Sequence, residues 1–296
     1  MLLGAHVSTA GGLYKSIENG EKLDCEAIQI FVKSPNRWVS KEPTEDDTNR
    51  FKESWKASAI QSILIHDIHL TNLTSPKPDV LESSRDQVRS QLQLADVLGI
   101  PYFVTHMGAH LDAGEDEGLR LLSESLNLMF EQTAGGEVMV LLETTAGQGS
   151  NMGYTFEHLR RTIDSSKYPE RLGVCLDTCH VFVAGYDIRT EDAYHETFDE
   201  FDRVIGLDRL RAFHLNDAKA EYQSRKDRHE HIGEGNLGEL PFRLLLNDSR
   251  FADVPMVIET PKMEEMHATN LAVLRSLIES QKGAVEGMSA SRRTRL

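Results

Sequence analysis

Eight short apolar runs punctuate the chain, at Leu2–Ser8, Ala27–Lys33, Ser62–His66, Tyr102–Met107, Val138–Thr144, Leu172–Asp177, Leu210–Asn216 and Pro255–Thr260. Most are continuous stretches of Val, Ile and Leu rather than alternations with polar residues. A strand covered on one face would alternate, so these runs predict parallel strands buried on both faces. Between them, apolar residues recur at helical spacing. Asp79–Leu98 places Val80, Leu81, Val88, Leu92, Leu94, Ala95 and Leu98 in this way, and Leu119–Phe130 and Met263–Ser280 read alike. Gly99-Ile100-Pro101 stops the first of these helices and opens the next strand. Strand–helix units in such succession predict an α/β fold, a single-domain (β/α)8 TIM barrel, with a doubly wound open sheet as the alternative.

Composition agrees with that picture. The 296 residues suit one barrel and can bury a core that needs no disulfide staples. Cys25, Cys175 and Cys179 form no paired framework, as expected in a reducing compartment. Cys175 and Cys179 flank Asp177, but two small buried thiols are the more ordinary reading than a thiolate metal site. No run approaches the roughly 18 apolar residues of a membrane span, and Met1–Gly4 carries no basic leader. The expectation is a cytoplasmic protein without membrane attachment. Its catalytic barrel would occupy 1–284 and a flexible basic tail, with Arg292, Arg293 and Arg295, would occupy 285–296. The net charge of −15 argues against a nucleic-acid partner, because phosphate binding favours Lys and Arg. That objection weakens if the acid lies on the far face or if bound metals supply positive charge locally.

Metal-capable side chains recur where the strands end. The third strand ends in His66, the fourth near His106, the fifth near Glu143, and the sixth in Asp177 with His180 just beyond. The seventh carries His214 and the eighth Glu259. One histidine at a strand end is ordinarily a hydrogen-bonded core residue. A series over six successive strands differs, because the C-terminal strand ends of a barrel converge on one mouth. Groups of this kind crowded into one cavity repel one another without a cation, so bound metal is predicted. The long loop Asp217–Glu239 adds Asp227-Arg228-His229, whose outer two residues face the same side of an extended chain. Taken alone, that stretch reads equally well as a solvated charged loop. Imidazole and carboxylate ligands without thiolate suit zinc, manganese or iron(II) at a catalytic site, and five histidines favour zinc over magnesium or calcium.

Four stretches carry a closer resemblance. They are Leu142-Glu143-Thr144-Thr145-Ala146-Gly147-Gln148-Gly149-Ser150-Asn151, Cys175-Leu176-Asp177-Thr178-Cys179-His180, Phe213-His214-Leu215-Asn216-Asp217-Ala218-Lys219, and Asp227-Arg228-His229 followed by Gly233-Glu234-Gly235-Asn236. With these motifs the chain resembles the endonuclease IV family, metal-dependent apurinic/apyrimidinic endonucleases, over roughly its first 280 residues. The resemblance implies three metal ions, most naturally Zn2+, with Mn2+ or Fe2+ possible at one site. His66, His106 and Glu143 would hold the first. Glu143, Asp177, His214 and Glu259 would hold the second, with Glu143 bridging the two. His180, Asp227 and His229 would hold the third. Three dications against four carboxylates leave the loaded cluster net positive, which attracts phosphate even on an acidic protein.

The same resemblance implies hydrolysis of the phosphodiester 5′ to an abasic site in double-stranded DNA, leaving a 3′-hydroxyl, by a chain acting as a monomer. Glu143 would orient the attacking water and accept its proton, and in an alternative assignment Glu259 is the base. Arg37, His69, Leu70 and Gln148 match positions that touch or wedge into DNA. An abasic nucleotide has lost its stacking and pairing, so a wedge selects it at low cost. Two departures stand out. The fourth-strand motif reads His106-Met107-Gly108-Ala109-His110 where the family commonly has Pro after the His, which puts loop stiffness in question. His69 stands where the family often has Tyr, which alters stacking at the lesion. A sugar isomerase or epimerase on a similar metal-binding barrel is the alternative function, and it would need one or two metals. A DNA-binding scaffold without chemistry is a third reading, opposed by the presence of all nine expected ligands.

Overall fold

Both-face burial of the apolar runs is met by closing the sheet on itself. The computed structural model describes residues 1–279, and the expected basic tail lies outside them. The strands are β1 (Leu2–His6), β2 (Ala27–Ile30), β3 (Ser62–His66), β4 (Tyr102–His106), β5 (Met139–Glu143), β6 (Leu172–Asp177), β7 (Leu210–His214), the two-residue β8 (Asp217–Ala218) and β9 (His229–Glu230), and β10 (Pro255–Ile258). Eight of them form a closed parallel barrel in the order β1-β10-β7-β6-β5-β4-β3-β2. Pairing of β1 with β10, from Leu2 opposite Pro255 to Ala5 opposite Ile258, closes the ring and excludes the doubly wound open sheet. β8 and β9 form a separate antiparallel ladder with Ala218 opposite His229.

The helices are α1 (Lys15–Lys22), α2 (Glu45–Ala57), α3 (Pro78–Leu98), α4 (Glu115–Gln132), α5 (Phe156–Ser165), α6 (Thr178–Ala184), α7 (Glu191–Val204), α8 (Leu240–Asn247) and α9 (Met263–Ser276). Local chemistry sets their ends. Thr44 caps α2 in a reciprocal capping box with Asp47, and Gly99 ends α3 with φ 75°, the left-handed conformation expected of a C-terminal glycine. The last helix stops at Ser276, short of the expected Ser280. The expected seventh strand loses Leu215 and Asn216, because the chain turns at His214 to enter the β8–β9 ladder.

Side chains inside the barrel lie in layers. One apolar layer comprises Ala27, Leu64, Val104, Leu141, Cys175, Ala212 and Val257. Side chains two residues further along a strand point the same way, so the next layer toward the C-terminal mouth is Gln29, His66, His106, Glu143, Asp177, His214 and Glu259. The barrel is tight enough at β1 that a Cβ on Gly4 would sit 1.6 Å from the Ala27 carbonyl oxygen, and glycine alone fits there. Among the described residues, no helix is long and apolar enough to cross a membrane.

Candidate metal centre

Three groups of ligand atoms form at the mouth. His66, His106 and Glu143 make the first, Glu143, Asp177, His214 and Glu259 the second, and His180, Asp227 and His229 the third, with ligand atoms within 4.8 Å of one another in each. All nine sequence-derived candidates are brought together in the expected grouping. Glu143 is fully buried and its two oxygens face opposite ways. Oε2 lies 3.3 Å from His66 Nε2 and 3.1 Å from His106 Nε2, and Oε1 lies 3.1 Å from His214 Nδ1. Oε2 is buried and makes no hydrogen bond, as suits an atom shaped to meet a cation.

The imidazoles are turned by their second nitrogens. His66 Nδ1 is 2.7 Å from the Asp67 carbonyl, His180 Nδ1 is 2.8 Å from the Thr144 carbonyl, and His214 Nε2 is 2.8 Å from Gln29 Oε1. Each of these acceptors takes the ring's proton, so the nitrogen facing the carboxylates carries either an extra proton or a metal. The site therefore demands positive charge. Burial pushes the Glu143 carboxyl up, but His106 and His214 outweigh it and hold it well below the usual carboxylate range. Burial lowers His180, yet Asp177 and Asp227 carry it well above the ordinary histidine value. Asp227 is raised by burial but brought down to about 2 by His180 and then His229. Four carboxylates drawn together, with Glu143 and Asp177 fully buried, need compensation, and divalent cations would supply it with ligand types that suit zinc.

Asp177 serves two structures at once. Its Oδ1 caps α6 by accepting from His180 N at 2.9 Å, and its Oδ2 accepts from Asn216 Nδ2 at 2.6 Å. The cap fixes His180 one turn away. Cys179 also lies within ligand range of Asp177 and His229. Burial, then Asp177, pushes its thiol far up, and it donates to the Arg228 carbonyl at 3.6 Å. Burial pushes Cys175 to about 11 within the apolar layer. With no metal bound, burial keeps both thiols protonated, and Cys175 lies in the apolar layer beneath the ligands.

The loop carrying Asp227 and His229 is stapled by Asp217. Its Oδ1 accepts from Ala218 N at 2.7 Å and Leu237 N at 2.9 Å, and its Oδ2 accepts from Gly233 N and Gly235 N at 3.0 Å. A Cβ on Gly235 would lie 2.4 Å from Asp217 Oδ1, which explains that glycine. Asp217→Ala leaves four amides without this acceptor. It is expected to lower unfolding stability by about 3 kcal/mol or more and to weaken metal binding at the His180–Asp227–His229 cluster. Urea unfolding and metal titration check both, and a variant with unchanged stability and metal content would remove the staple.

The expected DNA-facing residues surround the mouth. Arg37 and His69 are exposed, Leu70 is half-buried, and Gln148 is exposed. Arg37 lines a cavity of about 1000 Å³ that also reaches His6, Phe31 and Lys262. The His69 ring stands edge-on to Phe31 at 5.1 Å and 6.1 Å from His66. Gln148 Oε1 accepts from Asp227 N at 3.1 Å, so it also braces the third cluster. Loop stiffness after His106 has another source than proline: Asn72 clamps Ala109, donating to its carbonyl at 2.9 Å and accepting from its amide at 3.0 Å.

Sequence reasoning missed His6, Gln29 and Asn216, which touch the cluster residues directly. His6 and Gln29 follow Gly4 and Ala27 by two residues, the same interval that relates every other apolar-layer residue to its polar successor. Extending the strand-end census to the first two strands would have found them.

The comparisons with known proteins accord with this geometry. The family model described as xylose isomerase-like TIM barrel matches residues 17–277. A protein of Chloroflexus aggregans named probable endonuclease 4 is 47% identical over 277 residues, covering 93% of this chain and 97% of that protein. The crystal structure of endonuclease IV from Thermus thermophilus superposes with a TM-score of 0.83 at 33% identity, covering 94% of this chain and 98% of that one. A D-tagatose 3-epimerase-like protein superposes with a TM-score of 0.72 at 18% identity over 94% of this chain and 97% of its own, a likeness of fold alone.

Proposed function

Because the chain belongs to the endonuclease IV family, we propose that it is a DNA-repair nuclease that hydrolyses the phosphodiester 5′ to abasic sites, leaving a 3′-hydroxyl, at a centre of three divalent metals. The convergence of nine imidazole and carboxylate groups into three clusters, with Glu143 shared by two, carries this reading. A cytosolic monomer suffices, since one chain supplies every candidate ligand.

Bound metals would supply Lewis-acid stabilisation of the phosphoryl group and of the departing oxygen, and would lower the pKa of water toward neutrality. The protein's own part is placement. Glu143 presents one oxygen to His66 and His106 and the other to His214, so the first two sites share it. It is also the carboxylate best placed to orient the attacking water. Glu259 offers Oε2 at 3.2 Å from His214 Nδ1, while its Oε1 is engaged by Gln29 at 2.6 Å. That engagement favours a ligand's role over a mobile base. Asp227 and His229 complete a third cluster, which the sugar isomerase or epimerase alternative does not require.

Arg37, His69, Leu70 and Gln148 stand where a duplex bound at the mouth meets the protein. A wedge that fills the gap left by an abasic nucleotide selects lesions with few base contacts, because extruding such a nucleotide costs least. Although His69 is exposed at the surface, desolvation by the protein packed around its ring, and then His66, hold it below its ordinary pKa, so a neutral ring faces the duplex at pH 7. Arg37→Ala is expected to weaken binding of a duplex containing a tetrahydrofuran abasic analogue several-fold. It should also reduce the log–log salt slope by about 0.9, one phosphate contact's worth. Fluorescence anisotropy across a salt series checks this, and an unchanged slope would return Arg37 to an ordinary surface position. The proposal as a whole is tested by incubating the metal-loaded protein with that duplex. Nicking 5′ to the analogue is the expected result, and an intact duplex overturns it.

A further inference from the structure

We infer that Gln29 and His6 are positioning residues that commit the Glu259 carboxylate and the His214 imidazole to the second cluster. Gln29 is fully buried at the end of β2. Its carboxamide has an acceptor oxygen on one side and donor hydrogens on the other, and both sides are used. Oε1 accepts from His214 Nε2 at 2.8 Å, and Nε2 donates to Glu259 Oε1 at 2.6 Å. The reverse orientation of the amide would set oxygen against the Glu259 carboxylate, so the network allows one orientation only.

His6, at the end of β1, adds a second partner to the same carboxylate oxygen. Its Nδ1 lies 3.2 Å from Glu259 Oε1 and 3.1 Å from Gln29 Nε2, and its ring packs on Phe31 at 4.4 Å. Glu259 Oε1 is thereby occupied and Oε2 is left facing His214 Nδ1 at 3.2 Å. Asn216 Oδ1 accepts from Glu259 N at 2.8 Å and fixes the backbone beneath it. One amide therefore settles two matters for the metal: which nitrogen of His214 is free, and which oxygen of Glu259 is offered. Groups that orient metal ligands in this way typically contribute about 10–100-fold in metal affinity.

The inference rests on the metal-centre reading, and the test separates the two. Wild type, Gln29→Met and His6→Phe would be stripped of metal, then titrated with Zn2+ against a chromophoric chelator and with Co2+ while recording visible absorption. Methionine keeps the length of glutamine and loses both hydrogen bonds. The expected result is three bound ions in wild type and, in Gln29→Met, a loss of about 10–100-fold at one site with the other two unchanged. The Co2+ absorption of that one site should shift, and the metal-free protein should melt somewhat lower, because two buried hydrogen bonds are lost. His6→Phe should show a smaller loss at the same site, because Gln29 still holds Glu259 Oε1. Three ions bound by Gln29→Met as tightly as by wild type overturns the inference while leaving the metal centre intact. Equal weakening at all three sites also overturns it, in favour of a general packing role. A wild-type chain that binds no divalent metal overturns the metal-centre reading and this inference together.

Discussion

Glu143→Gln is expected to slow nicking of an abasic duplex by about a thousandfold or more while leaving duplex binding largely in place. The substitution keeps the side chain's shape but removes its charge and one of its two anionic oxygens. Both matter, because Oε2 faces His66 and His106 at 3.3 and 3.1 Å while Oε1 faces His214 at 3.1 Å. A neutral amide cannot hold two dications close together, and a barrier raised by about 4 kcal/mol corresponds to about a thousandfold in rate. Binding is expected to depend chiefly on the rim residues Arg37, His69, Leu70 and Gln148, which the substitution leaves in place. Single-turnover nicking and anisotropy on the same analogue duplex separate the two effects. A variant that cuts at near wild-type rate would mean that Glu143 does not bridge.

Metal removal should be as damaging to activity and should also expose a pH dependence of stability. Chelation is expected to abolish nicking, and zinc to restore it. A single site held at about a thousand times its Kd stabilises the fold by about 4 kcal/mol, which for a chain of this size amounts to on the order of 10 °C in melting temperature. Without metal, His180 and His214 carry the compensating charge as imidazolium. Burial disfavours that form in both, but Asp177 and Asp227 around His180, and Glu259 and Glu143 around His214, raise them well above 6.5. A folded-state pKa above the unfolded value gives stability that is full below about 6.5 and is lost as pH climbs through the folded value. Metal-free protein is therefore expected to melt lower at pH 9 than at pH 6, and metal-loaded protein to show a smaller difference, since the cations replace those protons. Thermal melts of both forms at the two pH values provide the check. A metal-free protein equally stable at both would show that the histidines are not carrying charge in the fold.

How much of this was legible beforehand differs from residue to residue. His66, Asp177 and Glu259 were visible because each interrupts an apolar run at its C-terminal end, and the barrel rule says where such ends meet. Asp227 and His229 were legible only through the family motif. Nothing in a charged loop distinguishes ligands from solvated residues, and what organises this one is Asp217 collecting four amides from residues 218 to 237. The two thiols beside Asp177 read as small buried groups from the sequence, and both are buried in the fold.

By itself, the order of apolar and polar positions determined the strands, the helices between them and the end of the barrel at which chemistry collects, because those follow from local periodicity and a general rule of this architecture. Closure of the ring decided the rest. A strand apolar on both sides carries no mark of which side faces inward, so the layer holding Gln29, His66 and Glu143 acquired its direction only when β1 met β10. The contact of Gln29 with His214, 185 residues apart in sequence, likewise exists only because two strand ends distant along the chain share one interior.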